Sequence, residues 1–148
     1  MVREDTLMSD FRLLYPMFAL FVLTAIVLVI LFRSRVSAVR LGAVSAKYFR
    51  IYQGEAEPEA AAKASRHFSN LFEAPTLFYA ACLAAMVTHD GSLMLLILAW
   101  AYVAARVVHA LIHLGGNRLR HRIKAYFSGW IVLGGMWLQI AWHAYNLP

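Results

Sequence analysis

Two short rows of polar residues lie within otherwise apolar sequence. Arg66, Asn70 and Glu73 are spaced i, i+4, i+7. That spacing puts a cation, an amide and a carboxylate on one stripe of a helix. Tyr102, Arg106, His109 and His113 follow i, i+4, i+7, i+11 and form a second stripe. A phenol, a guanidinium and two imidazoles on one face can hydrogen-bond and hold an anion. Arg106 sits in "YVAARVVHALIHL", apolar on both sides. A charge there costs at least ~2.5–3.5 kcal/mol on insertion scales, so it needs a protein partner. Glu73 is the natural ion-pair partner, within one chain or between subunits.

Polar contacts between membrane helices can be simple glue, averaging well under ~1 kcal/mol in some measurements. This set is larger than glue requires. With Arg118, Arg120 and Arg122 it converges at one depth. It reads as a pocket for a small anionic, hydrogen-bonding molecule that enters from the cytoplasm. His109 and His113 at i,i+4 also have the spacing of two metal ligands on one helix face. The only further ligands in reach are Glu73 or His67, there is no HExxH pattern, and His89 and His143 fall toward the other side of the membrane. A metal or haem centre is therefore a rival reading, and no metal is assigned. Catalytic triads, phosphate loops and nucleic-acid modules are absent from the sequence. The single cysteine, Cys82, lies in an apolar run and reads as inert packing.

The elements that position these stripes follow from composition. Of 148 residues, 61% are hydrophobic and 15% charged, far from the balance of a soluble domain. Four apolar stretches, residues 13–32, 71–88, 93–114 and 123–145, are each close to the ~20 residues that cross a bilayer core. The first lacks a small-residue cleavage site and reads as a retained helix. The links "HDGS" and "GGNRLRHR" are short, which makes neighbouring spans antiparallel. The expected fold is an all-α membrane protein, an up-down four-transmembrane-helix bundle in one domain, with a cytoplasmic loop over residues 33–70. Small residues Ala81, Ala85, Gly129, Gly134 and Gly135 allow close helix packing. "EPEAAAKASRHFSN" has Pro58 placed for a helix start and a Glu59–Lys63 pair. One continuous helix is expected from Pro58 to Thr88, kinked at Pro75.

The net charge of +6 is a matter of topology and not of nucleic acid. Arg33, Arg35, Arg40, Lys47, Arg50, Lys63 and Arg66 fall in the first loop, and Arg118, Arg120, Arg122 and Lys124 in the third. Positive loops stay inside. Both termini are therefore expected on the non-cytoplasmic side. Part of loop one is free to extend the first span or to lie on the membrane surface.

"SRHFSNLFEAP", residues 65–75, resembles the signature R-x-x-x-N-x-x-E-x-x-P of the MAPEG family, the membrane-associated proteins in eicosanoid and glutathione metabolism. Arg66, Asn70 and Glu73 match, and Pro75 comes one residue early. "ARVVHALIHL" is similar to the third-span motif of microsomal glutathione transferases. "NRLR" followed by "FSGW" is similar to their third loop and fourth span. "KYFRIYQGE" points to the bacterial branch and so to a bacterial inner membrane. The resemblance implies a homotrimer with glutathione between subunits at the cytoplasmic side and a lipophilic electrophile arriving from the bilayer. It implies that Arg66, Asn70 and Glu73 hold glutathione, supported by Arg106 and Tyr102, with Arg40 from loop one in the same set. His113 stands where many members carry a glutathione-contacting tyrosine, His109 where some carry another, and Ala74 where some have a tyrosine. The arginine that stabilises the thiolate would be Arg120 or, on another alignment, Arg118.

The activity expected is that of an integral-membrane glutathione-dependent transferase or peroxidase. The alternative is a non-catalytic small-molecule or lipid-binding protein on the same scaffold. The topology has a direct test in cysteine-accessibility labelling at Ser9, Ser45 and Asn146. Substitutions at Ser9 and Asn146 are expected to label from the non-cytoplasmic side and that at Ser45 from the cytoplasm. The reverse pattern overturns the orientation.

Overall fold

The computed structural model describes residues 11–53 and 57–147. They are helical, with no strand among them. A 3-10 turn at Phe11–Leu13 leads into α1 (Leu14–Arg40). There follow α2 (Tyr48–Ile51), α3 (Glu59–Asn70), α4 (Ala74–Val87), α5 (Leu93–Leu114) and α6 (Leu119–Tyr145). Three stretches are long and apolar enough to cross a membrane: Phe11–Arg40, Glu59–Val87 taken across its break, and Leu93–Leu114. The chain is thus an all-helical, integral-membrane protein. Helix α6 is long enough at 27 residues but is not among these three; even its uncharged stretch 125–142 is diluted by glycines, tryptophans and Gln139.

The core draws on α1, α4, α5 and α6. Leu20, Phe78, Ala81, Cys82, Ala85, Leu95, Ala99, Tyr102, Leu133 and Met136 are all buried in one cluster. Ala81, Ala85 and Ala99 bring backbones close, so Phe78 can stack flat on Tyr102 with ring centroids 4.6 Å apart and planes at 11°. Gly129 does the same for α6. A Cβ there would stand 3.7 Å from the Tyr102 ring and 3.8 Å from Arg106 Cδ. The α4–α5 turn is pinned by Asp90, 2% exposed, whose carboxylate accepts from the Ser92 N–H and from Gln139 Nε2 on α6.

One expectation is corrected. The segment from Pro58 to Thr88 is not one kinked helix. It breaks between α3 and α4, and Pro75 lies in the first turn of α4. The reason is local. Proline has no N–H for the Leu71 carbonyl, and its ring clashes with that carbonyl in a continuous helix. The chain closes α3 with short i−3 bonds instead, Leu71 N–H to Phe68 O and Phe72 N–H to Ser69 O. It restarts at Glu73, which takes the N-cap position with φ −91° and ψ −102°. Within the connecting segment 33–70, the helix expected from Pro58 and the extension of the first span are both found. Helix α1 continues to Arg40, and α3 fills the end of the segment. Arg35 ties these pieces together. It lies 3.8 Å from Glu57, donates to Ser65 Oγ, and its guanidinium sits over the Phe49 and Tyr52 rings at 5.3 and 5.6 Å.

Phe78 anchors this packing, so Phe78→Ala is expected to destabilise by ~3–5 kcal/mol. Phe18, 65% exposed on the outer face of α1, is the control, with Phe18→Ala expected within about 0.5 kcal/mol of wild type. Unfolding of the detergent-solubilised protein measures both.

Candidate functional site

The break between α3 and α4 makes the site. A helix end leaves backbone carbonyls without partners. Arg106, one turn below His109 on α5 and 1% exposed, donates from Nη2 to the Asn70 carbonyl at 3.1 Å. Its guanidinium carbon lies 6.0 Å from the Tyr126 ring centroid. The expected Glu73–Arg106 ion pair is not formed within the subunit. Glu73 is exposed at the start of α4, and the ion pairs found among the described residues are Arg35–Glu57 and Lys63–Glu59. The physical reason is that the break offers Arg106 a fixed backbone acceptor deeper than the carboxylate.

Above Arg106 opens a cavity of about 490 Å³. Arg66, Asn70 and Glu73 line one side from α3 and the break, His109 and His113 the floor from α5. Arg122 and Tyr126 close it from α6. Asn117, with φ +46°, accepts from Arg122 Nη1 at 2.8 Å and so fixes the direction of that guanidinium. The cavity thus offers two arginines, one carboxylate and several neutral donors, a set matched to a zwitterion with excess negative charge.

The other residues expected in the site are placed as follows. Arg106 and Tyr102 lie below the cavity wall. Tyr102 is fully buried against Phe78 with its hydroxyl unpartnered. Arg120 is exposed in the first turn of α6 and does not line the cavity. Arg118 borders a separate groove with Ile112, Asn117 and His121. Arg40 borders another, on α1, with Arg33. Within one subunit the structure therefore brings Arg122 to the pocket, and not Arg118, Arg120 or Arg40. Sequence reasoning named Arg122 only as one of three loop arginines and missed Tyr126. The signal was present, since Arg122, Tyr126, Gly129 and Leu133 repeat the i, i+4, i+7, i+11 spacing of α5. It also gave His67 too little weight. His67 is fully buried, with its ring 5.3 Å from that of His109 and 5.1 Å from that of His113. No group of three His, Cys, Asp or Glu among the described residues is arranged to hold a metal ion.

The backbone anchor is separable from the ion-pair reading. Arg106→Met removes a charged hydrogen bond and is expected to lower stability by roughly 1.5–3 kcal/mol. It should also speed amide exchange at residues 71–74 and 76. Glu73→Ala, exposed and without an ion pair, is expected to change stability by less than ~1 kcal/mol. Unfolding and hydrogen exchange of both variants check this, and equal losses would reinstate the ion pair.

Comparison with known proteins agrees with the motifs. A family model described as the MAPEG family matches residues 13–142. No curated protein and no solved structure matches significantly. With most of its length matched, from α1 through nearly all of α6, the chain belongs to the MAPEG family.

Proposed function

We propose that this protein is a glutathione-dependent transferase or peroxidase acting on lipophilic electrophiles. The family is generally associated with glutathione. The observation that carries the proposal is the cavity in which Arg66, Asn70, Glu73, His109, His113 and Arg122 meet. Glutathione has two carboxylates, one ammonium, two amides and a thiol; Arg66, the carboxylate and the neutral donors of the cavity complement its charged ends and amides, which leaves Arg122 for the thiol. In the full proposal α6 also crosses the membrane, giving an up-down bundle of four spans in a single domain over residues 1–148. Three copies assemble into a homotrimer, the cavity opens to the cytoplasm, and both termini face away from it. Arg40 and the loop arginines Arg118 and Arg120 then remain available to a neighbouring subunit's site.

A lipophilic partner has its own approach. An apolar groove of about 540 Å³ lies between α1 and the break, walled by Phe21, Leu28, Phe68, Phe72 and Tyr79. Its hydroxyls are turned inward. Thr24, Thr76 and Tyr79 donate to the carbonyls of Leu20, Glu73 and Met17. The same groove supports the second reading, a non-catalytic binder of lipid or another small molecule.

The chemistry requires a thiolate, because the neutral thiol is a poor nucleophile. A free thiol with pKa ~8.5 must shift by about 1.5 units, or ~2 kcal/mol, to be half ionised at pH 7. A guanidinium in a partly dry site supplies that, being always charged and a donor. Arg122 takes this role in place of Arg120 or Arg118, since it faces the cavity with its orientation fixed by Asn117. The thiol S–H gives its proton to solvent, and the thiolate sulfur forms the bond to the electrophilic atom as that atom's bond to its leaving group breaks and the electron pair departs with the leaving group.

Arg122→Ala is expected to keep much of the glutathione binding and to lose the ultraviolet absorbance of bound thiolate. Arg118→Ala and Arg120→Ala are expected to keep both. Calorimetric titration with difference spectroscopy measures this. Loss of the thiolate in Arg120→Ala alone returns the role to Arg120 of a neighbouring subunit. Wild-type protein that binds glutathione without ionising it would favour the non-catalytic reading.

A further inference from the structure

Several hydroxyls in these helices turn back on their own backbone. Thr24, Ser34, Thr88 and Ser128 each donate to a carbonyl three or four residues earlier, the usual way to satisfy a hydroxyl inside a helix. Ser65 on α3 departs from this. Its Oγ accepts from Arg35 Nη2 on α1 at 3.3 Å, and among the described residues it makes no bond to its own helix. Ser65 also lines the cavity, beside Arg66. It therefore stands in the cavity wall, with a cation behind it and open space in front.

Arg35 is held for this contact. Its guanidinium lies over the Phe49 and Tyr52 rings at 5.3 and 5.6 Å, and its Nε stands 3.8 Å from Glu57 Oε1. Rings over the face and a carboxylate at one edge leave another edge of the planar fork for Ser65. Helix α2 supplies Phe49, and Tyr52 follows it directly. The connection between α1 and α3 thus clamps the guanidinium that touches the cavity wall.

A hydroxyl has one proton and two acceptor lone pairs, and arginine can only donate. The contact uses a lone pair of Ser65 and leaves its proton over. With no carbonyl of its own helix engaged, that proton is available to the cavity. Accepting from a cation also makes a hydroxyl a stronger donor, because hydrogen bonds in a chain polarise one another. We propose that Arg35 is a positioning residue that makes Ser65 a hydrogen-bond donor to a carboxylate of the ligand. Arg66 complements it. A carboxylate has two oxygens, one for the guanidinium and one for the hydroxyl. An ammonium, which has only donors, gains nothing there. The subsite reads one anionic end of the ligand and rests on the glutathione reading above.

Glutathione should bind about tenfold more weakly to Ser65→Ala, the loss of one hydrogen bond to a charged group, and near wild-type strength to Ser65→Thr. Of the two glutathione analogues with one carboxylate converted to an amide, one should show a much smaller loss. Arg35→Met should weaken binding on its own and add little to Ser65→Ala, since both act through one hydroxyl. Equal losses for glutathione and both amides, or additive losses at the two residues, would overturn the proposal. If Arg35→Met does not fold, the Ser65 variants and the amides decide. Ser65→Cys tests the contact without ligand. A thiol beside a guanidinium ionises more readily, so iodoacetamide should alkylate it at least about threefold faster than when Arg35→Met is also present. Cys82 is fully buried and stays protected. An introduced thiol that is unreactive, or indifferent to Arg35, overturns the relay even if glutathione binds. Wild type that fails to bind glutathione removes the substrate reading, and an Arg35-dependent alkylation rate then still supports the relay.

Discussion

The hydrogen bond from Arg106 to the Asn70 carbonyl is the constraint on which the rest depends. A guanidinium deep among membrane helices is tolerated only with a partner. A broken helix in the same setting is tolerated only if its freed carbonyls are satisfied from elsewhere. Each defect answers the other. Pro75 forces the break, the break frees a carbonyl, and Arg106 occupies it. The same arrangement puts Arg66, Asn70 and Glu73 on the rim and His109 and His113 on the floor of one cavity. The polar pocket is a by-product of how the chain stabilises its own interruption.

That interruption also separates two environments. On the side facing α5 and α6 the segment presents Arg66, Asn70 and Glu73. On the side facing α1 it presents Phe68, Leu71 and Phe72 to an apolar groove. A polar cavity and an apolar groove thus lie on opposite sides of a few residues.

Much of this was legible in the sequence. Helix α5 occupies residues 93–114, the bounds of its apolar run. Arg66 and Asn70 on α3 and the outer half of the α5 stripe, His109 and His113, do face a common space. The break was harder to see, because the Ala-rich run before it and the apolar run after it both favour helix. The cost of one proline had to be weighed against the whole segment. The partner of Arg106 was not legible at all, since charge pairing in a sequence shows side chains and conceals backbone acceptors. Likewise three arginines within five residues look alike in a loop. The choice between Arg118, Arg120 and Arg122 appears only once α6 begins at Leu119 and its rotation sends Arg122 inward.

Because Arg106 holds a main-chain oxygen, the anchor does not depend on which side chain stands at position 70. The Asn70 amide, which lines the cavity, can change while the backbone anchor is kept. Stability and recognition are carried by different atoms of the same residue. A lineage built this way can drift in specificity one substitution at a time without passing through misfolded intermediates.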